Sequence, residues 1–115
     1  MIGSGAIGCE LLKNYAMLNL GTALADPTTK TKQGMIVLTD PDHIEVSNLN
    51  RQFLFREKHI RKPKSSTAAA SVIQMNPSMK GHISARLERV SEATKDIFSD
   101  EFFRDLTIVT NALDN

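Results

Sequence analysis

The sequence predicts an α/β fold, a Rossmann-like doubly wound parallel sheet with helices on its faces. A glycine-rich turn at residues 3–8 leads directly into an amphipathic helical pattern. Continuous apolar runs at 35–39 and 106–113 are typical of strands buried on both faces of a parallel sheet. Helical and strand patterns alternate along the chain, and such alternation predicts right-handed crossovers between parallel strands.

The composition is that of a single globular domain. The chain has 115 residues, of which 41% are hydrophobic and 23% charged, and its formal net charge is +1. That charge argues neither for nor against a nucleic-acid partner, and no apolar run approaches the roughly 20 residues that span a bilayer. The single cysteine, Cys9, excludes an internal disulfide and is typical of a reducing compartment. We therefore expect an intracellular domain, or a piece of one, with no membrane partner.

The first helix is predicted to follow the glycine turn and to end near Gly21, which fits a C-terminal cap. One apolar stripe of this helix consists of Ile7, Leu11, Tyr15 and Leu18, and an adjoining stripe consists of Leu12, Ala16 and Leu20. With these two stripes the helix should bury most of its circumference. Residues 22–34 are small, polar and interrupted by proline, and they predict an exposed connection.

Four later elements are predicted from local patterns. A short helix is expected within 47–55, and a longer helix should begin near Pro63, since proline suits the first turn of a helix. A strand is expected over 80–87, where apolar and polar residues alternate. One or two short helices are expected over 93–105.

The segment 51–64 is basic and holds six Lys or Arg against one acidic residue, Glu57. With Phe53 and Phe55 it also fits a nucleic-acid surface built from charge and stacking. Both phenylalanines adjoin Leu54, so we expect them to anchor the core or an interface instead, and we expect no nucleic-acid partner.

Ligand chemistry is predicted at the carboxyl ends of the strands, where doubly wound sheets bind ligands. Asp40 ends the first apolar run, Asp114 follows the last, and the glycine turn belongs to the same edge. Asp40 would accept hydrogen bonds from ribose hydroxyls, and Asp114 would hold Mg²⁺ beside phosphates. Arg51 and Lys64 would neutralise those phosphates. A turn or a solvated face explains any one of these residues alone, but their joint position favours a nucleotide site.

A metal cluster and a nucleophilic cysteine are both disfavoured. The three histidines, His43, His59 and His82, are not spaced as metal ligands, either from one another or from Cys9. Cys9 is near a helix N-terminus, which can lower a thiol pKa, but it is flanked by Ile7 and Leu11. We therefore expect Cys9 to pack against the sheet.

The most specific motifs are five segments that occur in order along nearly the whole chain: GSGAIGCELLKN, TDPDHIEVSNLNRQFLF, KPKS, QMNP and NALDN. Together they resemble the adenylation domain of a ubiquitin-activating enzyme, in the ThiF/MoeB-like superfamily. The resemblance implies that ATP and Mg²⁺ bind, and that the C-terminal glycine carboxylate of ubiquitin or a ubiquitin-like modifier attacks the α-phosphate, releasing pyrophosphate. A cysteine elsewhere in the enzyme then takes the modifier as a thioester and passes it to a ubiquitin-conjugating enzyme. A cytoplasmic and nuclear location is implied as well.

Carried over by motif position, the resemblance implies eleven residues of a nucleotide site. They are Gly3, Gly5, Ala6, Gly8, Asp40, Asn48, Arg51, Gln52, Lys64, Asp114 and Asn115. The catalytic set among them is Arg51, Lys64 and Asp114. Asp114 is the implied Mg²⁺ ligand, with Asp42 as a second candidate.

The resemblance also implies that residues 1–115 are a partial adenylation domain. Only Met1 and Ile2 precede the glycine turn, so the strand that should feed it is expected to be missing, and the C-terminal end is expected to be truncated. Cys9 resembles the family's helix cysteine, so no thioester cysteine is expected here. A pseudo-symmetric second half should complete the site with an arginine, and other domains should recruit the conjugating enzyme. Alone, these residues are expected to be poorly folded and inactive.

Two alternatives remain open. A strand-ending acid after GxGxxG also fits an NAD-dependent oxidoreductase. However, Asp40 follows Gly8 by 32 residues, whereas the acid of that fingerprint follows by about 20. An inactive regulatory half of a heterodimeric activating enzyme would resemble the same family, but such halves tend to lack the nucleotide-contacting residues, and the main ones are present.

Overall fold

Two parallel strands form the centre of the computed structural model, which describes residues 1–113. Strand β1, Ile36–Thr39, pairs with β2, Ile83–Arg86, in a register that places Ile36 opposite Ile83. A parallel pair needs a long crossover, and helix α2, Lys64–Met75, lies within it. The predicted strands over 35–39 and 80–87 are therefore confirmed, as is the helix that follows Pro63. Asp114 and Asn115 lie outside the described residues.

Residues 1–3 occupy a position between β1 and the segment 110–112. Ile2 forms isolated parallel bridges with Thr39 on one side and Asn111 on the other. The Gly3 amide donates to the Thr39 carbonyl at 2.9 Å, and the Ala112 amide donates to the Ile2 carbonyl at 2.8 Å. Ile2 thus takes the central position that the first strand of such a sheet is expected to occupy.

The predicted strand over 106–113 is wrong. Within the described residues this segment forms no continuous ladder, and Thr107, Ile108 and Val109 are exposed. Its pairing is the single bridge between Asn111 and Ile2. A strand needs several consecutive partner residues, and one neighbouring residue cannot supply them.

The main core lies between the sheet and helices α1, Ala6–Met17, and α2. Its buried members are Cys9, Leu12, Ala16, Leu38, Ile44, Leu54, Phe55, Ala68, Val72 and Met79. The side-chain amide of Asn76, the residue after α2, donates to the Ala16 carbonyl at 2.6 Å and ties the ends of the two helices together. Phe55 is buried and Phe53 packs against the same cluster, so their predicted packing role is confirmed.

Helix α1 buries Leu12 and Ala16 of the predicted adjoining stripe and leaves the ends of the other predicted stripe exposed. Ile7 is 62% exposed and Leu18 70% exposed, whereas Cys9 and Leu12 are fully buried. The orientation follows from a close backbone contact at Gly8, where a Cβ atom would lie 2.4 Å from the Gly3 carbonyl oxygen. That contact turns the face with Gly8, Cys9 and Leu12 toward the sheet.

The opposite face of β1 is covered by an aromatic cluster. Phe98 is buried, and its ring meets that of Phe102 edge to face at 5.4 Å between centroids. Phe102 belongs to the short helix α3, Asp100–Arg104, and a 3₁₀ turn precedes it at Glu92–Thr94. The helical structure predicted over 93–105 is thus confirmed, as two short pieces, and helices cover both faces of the sheet.

Three further 3₁₀ turns complete the connections. They span Val46–Asn48, Glu57–His59 and Pro77–Met79. The first of them begins one residue before the predicted short helix within 47–55 and is the only regular helical piece of that range. None of the helices within residues 1–113 is long and apolar enough to cross a membrane.

Candidate functional site

A cleft of about 600 Å³ opens at the carboxyl ends of β1 and β2. Eight predicted site residues line it: Gly3, Gly5, Ala6, Asp40, Asp42, Arg51, Gln52 and Lys64. The residues that follow β2, at 88–90, form part of another wall. The structure therefore brings the glycine turn, the end of β1 and the start of α2 to one site.

The three glycines of the turn have different surroundings. Gly3 has a φ of +100°, and a Cβ atom there would lie 2.8 Å from the Ala112 carbonyl oxygen. A Cβ atom on Gly8 would overlap the Gly3 carbonyl. At Gly5 the nearest atom to a Cβ would be Nε2 of Gln52, at 3.8 Å, which is an ordinary contact. The protein itself does not need a glycine at position 5, so its missing side chain leaves the cleft floor open to a ligand.

Asp40 joins the glycine turn to the end of β1. It is 6% exposed, and its Oδ2 accepts hydrogen bonds from the Ser4 amide at 2.7 Å and the Ser4 hydroxyl at 3.1 Å. Its Oδ1 accepts a hydrogen bond from the Asp42 amide at 2.8 Å. This carboxylate therefore fixes the turn and the start of the following loop relative to the sheet.

Lys64 is a buried cation with an imperfect partner. It is the first residue of α2 and is 8% exposed, and its Nζ lies 3.9 Å from Oδ2 of Asp42. The Asp42 side chain is 62% exposed, so this long ion pair joins a buried cation to a carboxylate that solvent also reaches. A buried ammonium costs free energy unless it is well paired, and an anion in the cleft would supply that pairing.

Arg51 adds a second cation at the rim. It is exposed, and its Nη1 donates to the Ser47 carbonyl at 2.6 Å and to Oδ1 of Asn50 at 3.3 Å. A guanidinium carries five N–H donors, so these contacts orient the group and leave other donors free. Arg51 and Lys64 together make this part of the cleft suited to a polyanion.

Gln52 contributes a buried acceptor without a partner. Its side chain is 3% exposed, and its Oε1 has no hydrogen-bond partner within the described residues. Leaving such an acceptor unpaired costs about 1–3 kcal/mol. A bound ligand with a hydrogen-bond donor would remove this cost.

Two predicted site residues are not on the wall of the cleft. Neither Gly8 nor Asn48 lines the cleft, and Asn48 is buried. Oδ1 of Asn48 accepts a hydrogen bond from the Glu45 amide at 2.8 Å, and its carbonyl accepts one from the Gln52 amide at 2.9 Å. Asn48 therefore shapes the turn that carries Arg51 and Gln52, and its contact with a nucleotide stays a prediction.

Cys9 is a packing residue, as predicted. Its thiol is fully buried and donates to the Ser4 carbonyl at 3.5 Å. Burial raises the pKa of Cys9 to about 11, so the thiol stays protonated at neutral pH. Within residues 1–113, no group of three His, Cys, Asp or Glu side chains is placed to hold a metal ion.

The sequence analysis missed Glu88, Arg89 and Val90, which line the cleft just after β2. A signal was present, because these residues follow the predicted strand over 80–87 at its carboxyl end. The same rule that drew attention to Asp40 applies to them. The predictions for Asp114 and Asn115 fall on residues outside the described range.

The chain is similar in sequence to a segment of several activating enzymes. The chain is 54% identical to "Ubiquitin-activating enzyme E1 1" of Candida albicans and 52% identical to "Ubiquitin-like modifier-activating enzyme 6" of Mus musculus, over 115 residues in each case. It is 50% identical to "Ubiquitin-like modifier-activating enzyme 1" of Homo sapiens over the same length. Each match covers 100% of this chain and 10% of the relative. The chain thus spans a tenth of the length of these relatives.

Solved structures agree with the fold class. A crystal structure of PaaA matches with a TM-score of 0.63 and 25% identity, covering 86% of this chain and 27% of that one. A crystal structure of E. coli MccB with ATP matches with a TM-score of 0.57 and 26% identity, covering 85% of this chain and 25% of that one. The predicted Rossmann-like α/β fold is confirmed by these neighbours. The model of the ThiF family matches residues 1–115, and the chain therefore belongs to the ThiF family.

Proposed function

We propose that residues 1–115 form part of the ATP-binding adenylation domain of an enzyme that activates ubiquitin or a ubiquitin-like modifier. The observation that carries this proposal is the pairing of an open glycine turn with the buried cation of Lys64 in one cleft. Membership of the ThiF family and the 50–54% identity to activating enzymes support it.

The cleft fits the triphosphate of ATP. The turn leads into the N-terminus of α1, whose first turn contains no acidic residue. Free amides and the positive end of the helix dipole favour an anion there. Gly5 lets a phosphate approach the backbone, and Lys64 gains an anionic partner in addition to the exposed Asp42 carboxylate 3.9 Å away.

The proposed reaction is the adenylation of a carboxylate. A carboxylate oxygen of the modifier's C-terminal glycine forms a bond to the α-phosphorus, and the bond between that phosphorus and the pyrophosphate oxygen breaks. Pyrophosphate leaves with the electron pair. Negative charge grows on the transferring group, so Arg51 and Lys64 act by positioning and charge stabilisation.

Mg²⁺ is proposed to accompany ATP. When bound, it neutralises phosphate charge. Magnesium commonly uses one or two carboxylates together with substrate phosphates, so a cluster of three protein ligands is not required. Asp42 lines the cleft and is one candidate ligand, and Asp114, outside the described residues, is the other.

The later steps are proposed from the family alone. The thioester would form on a cysteine other than Cys9, because the buried thiol of Cys9 has a raised pKa and serves packing. A pseudo-symmetric second half and a ubiquitin-conjugating enzyme would be partners of the whole protein. We propose that it acts in the cytoplasm and nucleus.

The test is ubiquitin-dependent ATP–pyrophosphate exchange by the full-length protein that carries this sequence. Lys64→Ala should lower the exchange at least 100-fold, because it removes the buried cation of the cleft. Lys58→Ala is the matched control, since Lys58 is an exposed cation of the same basic segment and does not line the cleft. Equal losses in the two variants would refute the role of Lys64. Tight NAD binding without ATP binding would overturn the proposal in favour of an oxidoreductase.

A further inference from the structure

Glu88 lies on the wall of the cleft with an unused carboxylate oxygen. Its Oε2 is buried and has no hydrogen-bond partner in the part of the chain that the structure describes. The Thr39 hydroxyl donates a short hydrogen bond to the Glu88 carbonyl. Thr39 is the last residue of β1 and is buried, so the backbone of Glu88 is held beside the end of that strand while its carboxylate stays free.

Asp40, which directly follows β1, already uses most of its hydrogen-bond acceptor capacity. A carboxylate offers about four lone-pair sites, and three are filled by the Ser4 amide, the Ser4 hydroxyl and the Asp42 amide. One site therefore remains for a ligand. The ribose of a nucleotide presents two adjacent hydroxyl groups, and the base adds N–H donors. Asp40 alone cannot accept from more than one of them.

We propose that Glu88 is a second acceptor for the nucleoside half of the ligand and takes a neutral O–H or N–H donor beside Asp40. This inference rests on the proposed function of the cleft. The neighbouring backbones support it, because the Asp40 amide donates to the Arg86 carbonyl at 3.1 Å, two residues before Glu88. Adjacent strands lie about 4.8 Å apart, so one nucleoside can reach both carboxylates.

Charge separates the nucleoside from the phosphates within the cleft. A phosphate beside Glu88 and Asp40 would meet two carboxylates, and like charges repel. The glycine turn and Lys64 offer the phosphates amides and a cation instead. A neutral donor at Glu88 satisfies its buried oxygen without bringing a second negative charge to it.

The experiment measures dissociation constants of the full-length protein for four ligands. They are ATP, 2′-deoxyATP, 3′-deoxyATP and purine riboside triphosphate, which lacks the exocyclic amine of the base. Glu88→Ala should weaken ATP binding about 10-fold, corresponding to one charge-assisted hydrogen bond. The matched control is Glu92→Ala, because Glu92 is an exposed carboxylate outside the cleft.

The ratios between ligands identify the contacted group. If Glu88 accepts from one donor, the wild-type protein prefers ATP over the analogue that lacks that donor, and Glu88→Ala loses this preference while keeping the others. Glu88→Gln retains an acceptor oxygen and should retain part of the preference, which provides a second variant if Glu88→Ala does not fold. If both Glu88 variants bind ATP and keep all three wild-type ratios of analogue to ATP dissociation constants, the inference about Glu88 is overturned and the proposed function is not. A wild-type protein that binds none of the four ligands overturns the proposed function as well.

Discussion

The glycine turn permits a sharp separation of folding from ligand binding, through Gly8→Ala and Gly5→Ala. A Cβ atom on Gly8 would lie 2.4 Å from the Gly3 carbonyl oxygen and 2.9 Å from its carbon. Gly3 cannot move away easily, because its amide donates to the Thr39 carbonyl at 2.9 Å. A Cβ atom on Gly5 meets nothing closer than 3.8 Å.

The expected magnitudes follow from these contacts. Overpacking costs about 1–3 kcal/mol, and a contact of 2.4 Å with backbone is expected to cost at least the upper end of that range. Alanine at a helical position recovers about 1 kcal/mol of helix propensity. The net destabilisation of α1 by Gly8→Ala should therefore be about 2 kcal/mol. Gly5→Ala should leave stability unchanged but place a methyl group where the phosphate would approach.

Hydrogen–deuterium exchange of the amides in α1, measured in the full-length protein, reports the first effect. A loss of about 2 kcal/mol accelerates exchange by local opening roughly 30-fold. ATP affinity, measured on the same samples, reports the second. We expect fast exchange in Gly8→Ala, and normal exchange with weakened ATP binding in Gly5→Ala. Wild-type exchange in Gly8→Ala, or equally fast exchange in both variants, would refute the assignment of the two glycines.

Three further predictions concern buried groups. Asp40→Asn should weaken the hydrogen bonds from the Ser4 amide and hydroxyl and destabilise the glycine turn by about 1–3 kcal/mol. Amide hydrogen exchange at residues 3–8 should then be faster than in the wild type, and an unchanged rate would contradict the prediction. Burial raises the pKa of Cys9 from 9.0 to about 11, so its contribution to stability is full below pH 9 and is lost as the pH rises toward 11. The wild type should lose roughly 2 kcal/mol more than Cys9→Ala over this interval in denaturant unfolding, whereas parallel pH profiles would contradict burial as the cause. Tyr15→Phe removes the 3.1 Å hydrogen bond to Thr110 and should cost about 1 kcal/mol; unchanged exchange at 110–112 would show that this bond does not hold the segment.

The fold could be predicted where local pattern decides it. The continuous apolar run at 35–39 marks β1, because a strand covered on both faces needs apolar residues at successive positions. The alternation of apolar and polar residues at 80–87 marks β2, because that pattern is typical of a half-buried strand. The segment 106–113 has an equally apolar pattern and is not a strand, since its only bridge partner in the described range is Ile2. The face that α1 buries also depends on a distant contact, between Gly8 and Gly3, that no helical periodicity contains.

The candidate site could likewise be predicted in part, where residues follow the ends of predicted strands. Asp40, Arg51 and Lys64 were predicted as site residues because a sheet of this class binds ligands at the carboxyl ends of its strands, and all three line the cleft at that edge. Glu88 was missed because a single glutamate after a strand has no special residue pattern. What distinguishes it is its unpaired, buried oxygen, which is a property of the folded chain alone.

Asp40 shows why the position of a residue in a motif does not fix its whole role. From the sequence it is a ribose acceptor, but in the structure most of its capacity holds Ser4 and the Asp42 amide in place. The bond to Ser4 spans 36 residues, so this carboxylate joins the glycine turn, the proposed phosphate site, to the strand end that would face the nucleoside. A ligand that occupies its last acceptor site would therefore contact a group on which the geometry of the turn depends. Substitution of Asp40 should change phosphate and nucleoside recognition together, whereas substitution of Glu88 should change nucleoside recognition alone.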